Sequence, residues 1–223
     1  MKNNMMPIIE PGTRMFEYAG KQMEKNVELK AYILDFVHKA DYNITDVYTE
    51  REKVPIPDFV KTSIMEDKDI PEKTKEKMLA DNALERLRTD FQHTVKNKRG
   101  EENYRLPNSL QSEGTKRTFG IEAAIYEAIK TNGILPIDEI ESSLHPELVE
   151  FIIEKFLKEK SRSQLIVTSH YDPLLNTVDD LIRKDSVWFT EKEKDGHTTL
   201  YSLTDFKGLS KISSFQKAYR NGV

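Results

Sequence analysis

Two adjacent carboxylates, Asp138 and Glu139, directly follow a short apolar run at residues 134–137. Buried strands read as short apolar runs and rarely contain acidic residues, so the pair marks the point where a strand ends. Open α/β sheets bind their ligands outside the carboxyl ends of the strands. An aspartate there can hold Mg²⁺, and the next carboxylate can orient or deprotonate an attacking water. A solvated strand end without a function is the alternative interpretation.

A second candidate group lies at residues 112–117, ahead of a stretch with helically spaced apolar residues. A helix N-terminus offers unpaired backbone N–H groups and a partial positive charge, which suit a phosphate. Gly114 allows close backbone approach, Ser112 adds a hydroxyl, and Lys116 belongs to the same segment. The alternative is an ordinary N-cap at Ser112.

Two more groups follow downstream. Residues 142–146, which include Ser143 and His145, form a tight turn into the next helix. His170 follows a buried strand at residues 164–169, where an imidazole can hydrogen-bond a terminal phosphate or the attacking water. A capping or surface histidine is the alternative there.

The elements that must position these groups alternate in the second half of the chain. The predicted elements are a helix from Ser112 to Asn132-Gly133, a strand at 134–137, a helix opened by Pro146, a strand at 164–169, a hairpin formed by 186–192 and 198–203, and a short tail helix. Helix, strand, helix, strand implies a parallel sheet with crossover helices.

The first half reads as an accessory region. Its predicted elements are an irregular stretch at 1–20, a helix at 21–40, a strand at 44–54, an exposed charged helix or insert at 61–83, a strand at 87–95, a turn at 98–101 and a return strand at 103–106. We therefore expect an accessory region at residues 1–84 and a compact domain at residues 85–223.

Composition excludes several classes of protein. Hydrophobic residues make up 37% and charged residues 32% of the 223 residues, which is polar but able to fold. Without cysteine there is no disulfide, thiolate metal site or cysteine nucleophile. The net charge of −4 shows no overall basic footprint for nucleic acid. No apolar run spans a bilayer and no signal peptide is recognised, so a cytoplasmic location without a membrane partner is expected.

The order of the four groups resembles that of the signature, Walker B, D-loop and H-loop of ABC-type ATPases. The sequences of residues 112–117, 137–146 and 165–170 are most similar to those of the soluble "AAA family" ATPases of bacterial abortive-infection and anti-phage systems. That branch includes the ATPase parts of OLD and RloC proteins and the ATPase partners of RloB-like proteins. The resemblance covers residues 85–220 well. It implies a three-layer, P-loop-NTPase-like parallel sheet with flanking helices, the C-terminal part of an ABC-type ATPase domain, followed by a β-hairpin.

The resemblance also implies roles, cofactors and partners. ATP and Mg²⁺ would be the cofactors, with Asp138 on Mg²⁺, Glu139 polarising the water and His170 sensing the γ-phosphate. Ser112, Gly114 and Lys116 would contact the nucleotide of an opposite subunit. Ser143 and His145 would communicate across that dimer.

The sequence departs from the family pattern at two places. None of its nine glycines forms the Gly-x-x-x-x-Gly-Lys-Ser/Thr loop that cradles phosphates. We therefore expect a P-loop from a missing N-terminal segment or a partner, and an inactive chain without it. Pro136 lies inside the strand at 134–137, where proline removes a hydrogen-bond donor. A local bulge or a sheet edge is expected at this point.

Three functional interpretations remain open. The leading one is a nucleotide-gated ATPase dimer that controls an effector nuclease or toxin. The second is a non-hydrolysing module that binds a partner protein or DNA. The third is a metal-dependent nuclease built on Asp138, Glu139, Glu141 and His170. A basic tail (Lys207, Lys211, Lys217 and Arg220) can contact phosphates or form a solvated helix.

Overall fold

The computed structural model of the chain describes residues 4–40, 43–80, 82–98, 100–209 and 212–222. The α-helices are α1 (Met15–Lys25), α2 (Val27–Lys39), α3 (Asp58–Glu66), α4 (Glu72–Ala80), α5 (Glu113–Thr131), α6 (Pro146–Lys158) and α7 (Phe215–Arg220). The strands are β1 (Asp46–Pro55), β2 (Ala83–Asn97), β3 (Gly100–Pro107), β4 (Ile134–Ile137), β5 (Gln164–Val167), β6 (Trp188–Lys192) and β7 (Thr198–Ser202).

These elements belong to two compact units. The first unit is drawn from Met1–Met6, Gly12–Leu135 and Ser161–Gln164. The second is drawn from Pro7–Pro11, Pro136–Lys160 and Leu165–Val223. The division after residue 84 that the sequence suggested stays a prediction.

The helical front of the first unit differs from the predicted one. The helix begins at Met15, within the stretch expected to be irregular, and the expected helix at 21–40 breaks at Asn26. Asn26 is extended (φ −128°, ψ 97°), and its side chain accepts a hydrogen bond from the Leu29 N–H at 3.0 Å. This is an N-cap, so the prediction of one continuous helix is wrong because a capping residue lies inside the apolar pattern.

An aromatic cluster lies in the core of the first unit. The Phe16 ring stacks on Phe91 at a centroid distance of 5.5 Å, and Phe91 meets Phe119 edge to face at 4.8 Å. Phe16 belongs to α1, Phe91 to β2 and Phe119 to α5, so the three rings join two helices to the sheet.

The strands of the first unit form an antiparallel sheet in the order β1-β2-β3. Val47 of β1 pairs with Phe91 of β2, and Asp90 of β2 pairs with Pro107 of β3. The helices α3 and α4 lie between β1 and β2 in the sequence. The predicted strands at 44–54, 87–95 and 103–106 are therefore confirmed. Arg99, in the predicted turn, lies outside the described residues.

The strands β4 and β5 pair in parallel. The Gln164 N–H donates to the Gly133 carbonyl at 2.9 Å, and the Thr168 N–H donates to the Ile137 carbonyl at 3.0 Å. Both segments advance by four residues in the same direction between these two hydrogen bonds, as parallel strands do. On the other side of β4, Met5 pairs with Ile134 and Ile9 pairs with Ile137, also in parallel.

Pro136 faces a one-residue bulge in that N-terminal segment. From Met5 to Ile9 the segment advances four residues, while β4 advances three from Ile134 to Ile137. The Pro136 carbonyl still accepts a hydrogen bond from the Ile9 N–H at 3.0 Å. The extra residue lies in the facing segment and not in the strand that carries Pro136, where the bulge was expected. The edge alternative is wrong, because β4 is paired on both sides.

The second unit contains α6, the hairpin and the tail. The helix α6 buries Val149, Ile152, Ile153 and Phe156 on one face. The predicted hairpin is formed by β6 and β7, with Phe189 opposite Tyr201. The predicted tail helix is α7, while Lys211 lies outside the described residues.

The predicted α/β class is confirmed, with a parallel sheet, flanking helices and additional antiparallel strands. Within the part of the chain that the structure describes, no helix is long and apolar enough to cross a bilayer.

Candidate functional site

Thr168 connects the ends of β4 and β5. Its hydroxyl donates a hydrogen bond to Asp138 Oδ1 and accepts one from the Glu139 N–H at 2.9 Å. Its carbonyl accepts from the Ile140 N–H at 3.1 Å. One side chain thus orients the carboxylate of Asp138 and fixes the backbone from which the Glu139 side chain projects.

The loop after β4 holds two residues in the left-handed region. Glu139 has φ 45° and Ser143 has φ 62°. Residues other than glycine, asparagine and aspartate rarely adopt this conformation, which costs on the order of 1–3 kcal/mol. The Ser142 N–H donates to the Glu139 carbonyl at 2.9 Å, which closes the turn between them. Such strain clusters at functional sites, so its presence at two candidate residues favours a functional loop over an idle strand end.

His170 is held beside Glu139 by Glu141. The His170 N–H donates to Glu141 Oε1 at 2.7 Å, and His170 Nε2 lies 3.9 Å from Glu139 Oε1. The His170 side chain is 87% exposed, so its imidazole is open to a ligand. Glu141 Oε2 is buried without a hydrogen-bond partner among the described residues. Burial, together with nearby carboxylates, raises the pKa of Tyr171, so its phenol stays protonated.

Residues 142–146 form the predicted turn into α6. His145 occupies the N-cap position with extended backbone (φ −69°, ψ 141°), and Pro146 opens the helix. The Leu148 N–H donates to the His145 carbonyl at 2.9 Å. Both Ser143 and His145 are exposed. The turn therefore presents two polar side chains at the surface of the second unit.

The group at residues 112–117 lies in the first unit, at the start of α5. Ser112 Oγ accepts from the Thr115 N–H at 3.0 Å, so the N-cap that was the alternative interpretation is present. The Lys116 ammonium pairs with the Glu113 carboxylate. Gly114 is partly exposed, and its carbonyl accepts from Thr118 Oγ1 at 2.8 Å.

Residues 20–176 match the model of a protein family described as "AAA domain, putative AbiEii toxin, Type IV TA system". The match spans more than half of the chain and includes all four candidate groups. The chain belongs to this AAA-domain family. A comparison with curated proteins finds no match.

Membership in the AAA-domain family indicates a nucleotide-binding, ATPase-like function in a toxin–antitoxin or abortive-infection context. It also implies a nucleotide and, as a rule, Mg²⁺. The family match begins at residue 20, within α1, and ends at residue 176, so it reaches further toward the N-terminus than the resemblance over residues 85–220 but does not include residues 177–220.

The predicted site residues fall into two sets. Asp138, Glu139 and His170 are brought together in the second unit, and Ser143 and His145 follow in the same unit. Ser112, Gly114 and Lys116 belong to the first unit. Their roles in nucleotide binding stay predictions.

The donor set near Thr168 fits a magnesium ion that arrives with a nucleotide. The Asp138 carboxylate and the Thr168 hydroxyl are oxygen ligands of the kind that Mg²⁺ prefers. Across the described ranges, no group of three or more His, Asp or Glu side chains is placed to hold a metal. Mg²⁺ needs no such cage when substrate phosphates complete its coordination. The same finding gives no support to the metal-dependent nuclease interpretation.

Two supporting residues were not found from the sequence. Thr168 received no role, and Glu141 appeared only in the nuclease alternative. The signal for Thr168 was its place at the end of β5, next to Ser169 and His170. Its contact with Asp138 depends on how β4 and β5 pair, which the sequence does not state.

Proposed function

We propose that the chain is the hydrolytic and signature part of a nucleotide-gated ATPase dimer in a bacterial defence-type system. One observation carries the proposal, namely that Thr168 and Glu141 hold Asp138, Glu139 and His170 in one polar group at the end of the parallel sheet. We further propose that, within its family, the chain belongs with the OLD- and RloC-like or RloB-associated ATPases.

Each residue of the group has a part in the proposed reaction. Asp138 holds Mg²⁺, which when bound neutralises charge on the phosphates. Glu139 orients and polarises the attacking water. The imidazole of His170 lies beside Glu139 and donates a hydrogen bond to the terminal phosphate. Because the Thr168 hydroxyl is bonded to Asp138 and to the Glu139 backbone, it acts as a positioning residue for both.

The remaining residues are proposed to act in trans. Ser112, Gly114 and Lys116 contact the nucleotide of the opposite subunit. Ser143 and His145 transmit the state of the bound nucleotide across the dimer. The partner is either a second copy of this chain or a segment that carries the P-loop, and the controlled effector is a nuclease or toxin. Turnover requires that P-loop, so the chain alone binds nucleotide weakly and does not hydrolyse it.

A non-hydrolysing interaction module is the second candidate, with a partner protein or DNA as its ligand. Its support is the sequence, which has no P-loop lysine to hold the phosphates of a nucleotide.

Light scattering of Glu139→Gln tests the leading proposal. The substitution removes the water-polarising carboxylate but leaves Asp138, and because the chain alone does not hydrolyse ATP, the variant and the unchanged chain should both form the ATP-bound dimer. We expect a dimer with Mg-ATP at millimolar concentration and a monomer with ADP. The matched control Glu76→Gln changes an exposed glutamate of α4 and should behave as the unchanged chain does. A monomer in Mg-ATP for every variant would instead favour the interaction module.

A further inference from the structure

A cavity of about 1190 Å³ lies in the second unit next to His170. Its lining starts at Thr168 and His170 and continues along β6, β7 and α7. Ligand sites for small molecules typically enclose about 300–1,000 Å³, so this cavity has room for a nucleotide-sized molecule. Thr168 and His170 also belong to the group around Asp138 and Glu139, whereas β6, β7 and α7 have no part in the reaction proposed for that group.

Aromatic rings form much of the cavity wall. Phe189 stacks on Tyr201 at a centroid distance of 5.6 Å and on Tyr219 at 5.5 Å. This packing makes a small core of its own, and two residues of the cavity lining have exposed rings. Trp188 is 56% exposed and Tyr219 is 53% exposed. Exposed rings that line a cavity are stacking platforms for flat ligands.

Two charged side chains of the lining are already engaged. The Arg220 guanidinium donates to both carboxylate oxygens of Asp172, and Asp205 Oδ2 accepts from the Ser202 N–H at 2.8 Å. Lys207 and Glu191 also line the cavity and are exposed. Within the described ranges, neither of these two side chains makes a hydrogen bond or an ion pair. They offer a cation and a carboxylate to a ligand.

We propose that this cavity binds a nucleotide through its base, at a site that adjoins the group around Asp138 and His170. The flat base stacks against Tyr219, on the side of the hairpin that carries Phe189, Lys207 contacts the phosphate, and Glu191 accepts a hydrogen bond from an exocyclic amino group. The site needs neither Mg²⁺ nor the P-loop. The same chemistry is offered by a free mononucleotide and by the end of a single-stranded nucleic acid.

Trp188 is the only tryptophan of the chain, so its fluorescence reports directly on this cavity. The full chain is titrated in EDTA with AMP, with a short phosphorylated and unpaired oligonucleotide, and with ribose phosphate. Saturable quenching by AMP assigns a free nucleotide, and quenching by the oligonucleotide alone assigns a nucleic-acid end. Ribose phosphate lacks a base and should cause no change. No saturable change with AMP or with the oligonucleotide overturns the proposal.

Variants separate the binding site from the fold. Tyr219→Ala should weaken binding about tenfold, because one stacking ring is lost. Lys207→Ala removes the proposed phosphate contact and changes none of the packed rings. It should weaken the binding of AMP but not of adenosine, which lacks the phosphate. Leu200→Ala is the control, since Leu200 is exposed on β7 but does not line the cavity. Equal losses in Leu200→Ala and Lys207→Ala would contradict the assignment. Because the titration contains no Mg²⁺, a negative result leaves the dimerisation of Glu139→Gln as an independent test of the ATPase proposal.

Discussion

At the scale of single residues, the arrangement of both carboxylates depends on Thr168. Its hydroxyl is the acceptor for the Glu139 N–H and the donor to Asp138 Oδ1. The backbone of Glu139 has the strained left-handed conformation, and the hydrogen bond to Thr168 helps to hold it. The candidate site is therefore built from the ends of two strands.

Thr168→Val tests this dependence. Valine keeps the β-branched shape that suits a strand but lacks the hydroxyl. We expect a loss of about 1 kcal/mol in the free energy of unfolding, measured by urea denaturation, since each hydrogen bond contributes roughly 0.5–1.5 kcal/mol. Binding of Mg-ATP should weaken as well. Thr168→Ser retains the hydroxyl and should remain close to the unchanged chain, and equal behaviour of the two variants would argue against the positioning role.

Strand-end reasoning could find Asp138, Glu139 and His170, because each lies shortly after the end of an apolar run. It could not find the contacts of Thr168 and Glu141, which join residues about 30 positions apart in the sequence. Their partners are set by strand pairing and by the loop after β4. Local sequence patterns carry no information on either.

At the scale of elements, α1 and α5 approach closely at Gly120. A Cβ atom added to Gly120 would lie 2.3 Å from Met15 Cβ and 3.1 Å from the Met15 carbonyl carbon. Neither helix can accept that contact without moving. The close approach brings Phe16 of α1 and Phe119 of α5 to a centroid distance of 6.4 Å.

Gly120→Ala should therefore destabilise the chain, although alanine favours a helix more than glycine does. We expect a decrease of about 1–3 kcal/mol in the free energy of unfolding, as overpacking usually costs. Gly12→Ala is the matched control, because a Cβ there meets nothing within 4 Å. Urea denaturation measures both variants. A stabilised Gly120→Ala would show that the helices are not packed as closely as described.

The docking of α7 should depend on pH. The hydrogen bond from Arg220 lowers the pKa of Asp172 from its usual value. A lowered folded-state pKa stabilises above the ordinary carboxylate pKa, and the contribution is lost as the pH falls through the lowered value. Arg220→Gln should thus reduce amide-proton protection in α7 at neutral pH, as measured by NMR, and the difference should vanish in acid.

Lys217→Gln is the control for that experiment, since it removes a cation from the same helix. Among the described residues the Lys217 side chain makes no ion pair. If amide-proton protection falls equally in both variants, the positive charge of α7, and not the contact between Arg220 and Asp172, holds the helix in place.

Most elements could be predicted, and the exceptions have physical causes. The alternation of α5, β4, α6 and β5 follows from periodicity and from the signals at Ser112 and Pro146. The end of α5 was assigned to Asn132-Gly133 together, but Asn132 takes the left-handed conformation (φ 51°), and Gly133 instead allows the Asn4 carbonyl to approach. That approach links residues far apart in the sequence, so only the folded chain reveals it.

At the scale of the whole molecule, Asp138, Glu139 and His170 belong to one unit and the Ser112 group to the other. The α/β class and the AAA-domain family could be predicted from the order of the four candidate groups along the chain. The pairing of residues 5–9 with β4 could not, since two isolated bridges around Pro7 leave no periodic pattern. The P-loop that the proposal requires has no counterpart in the sequence.

Calorimetry of Mg-ATP binding tests the central claim most directly. The chain, Asp138→Asn and Glu139→Gln are compared in Mg²⁺ and in EDTA, because the proposed nucleobase site does not need Mg²⁺. We expect weak, Mg²⁺-dependent binding of ATP that Glu139→Gln retains and Asp138→Asn loses. Binding that is equal in Asp138→Asn, or no binding at any attainable ATP concentration, would contradict a magnesium–nucleotide site at Asp138.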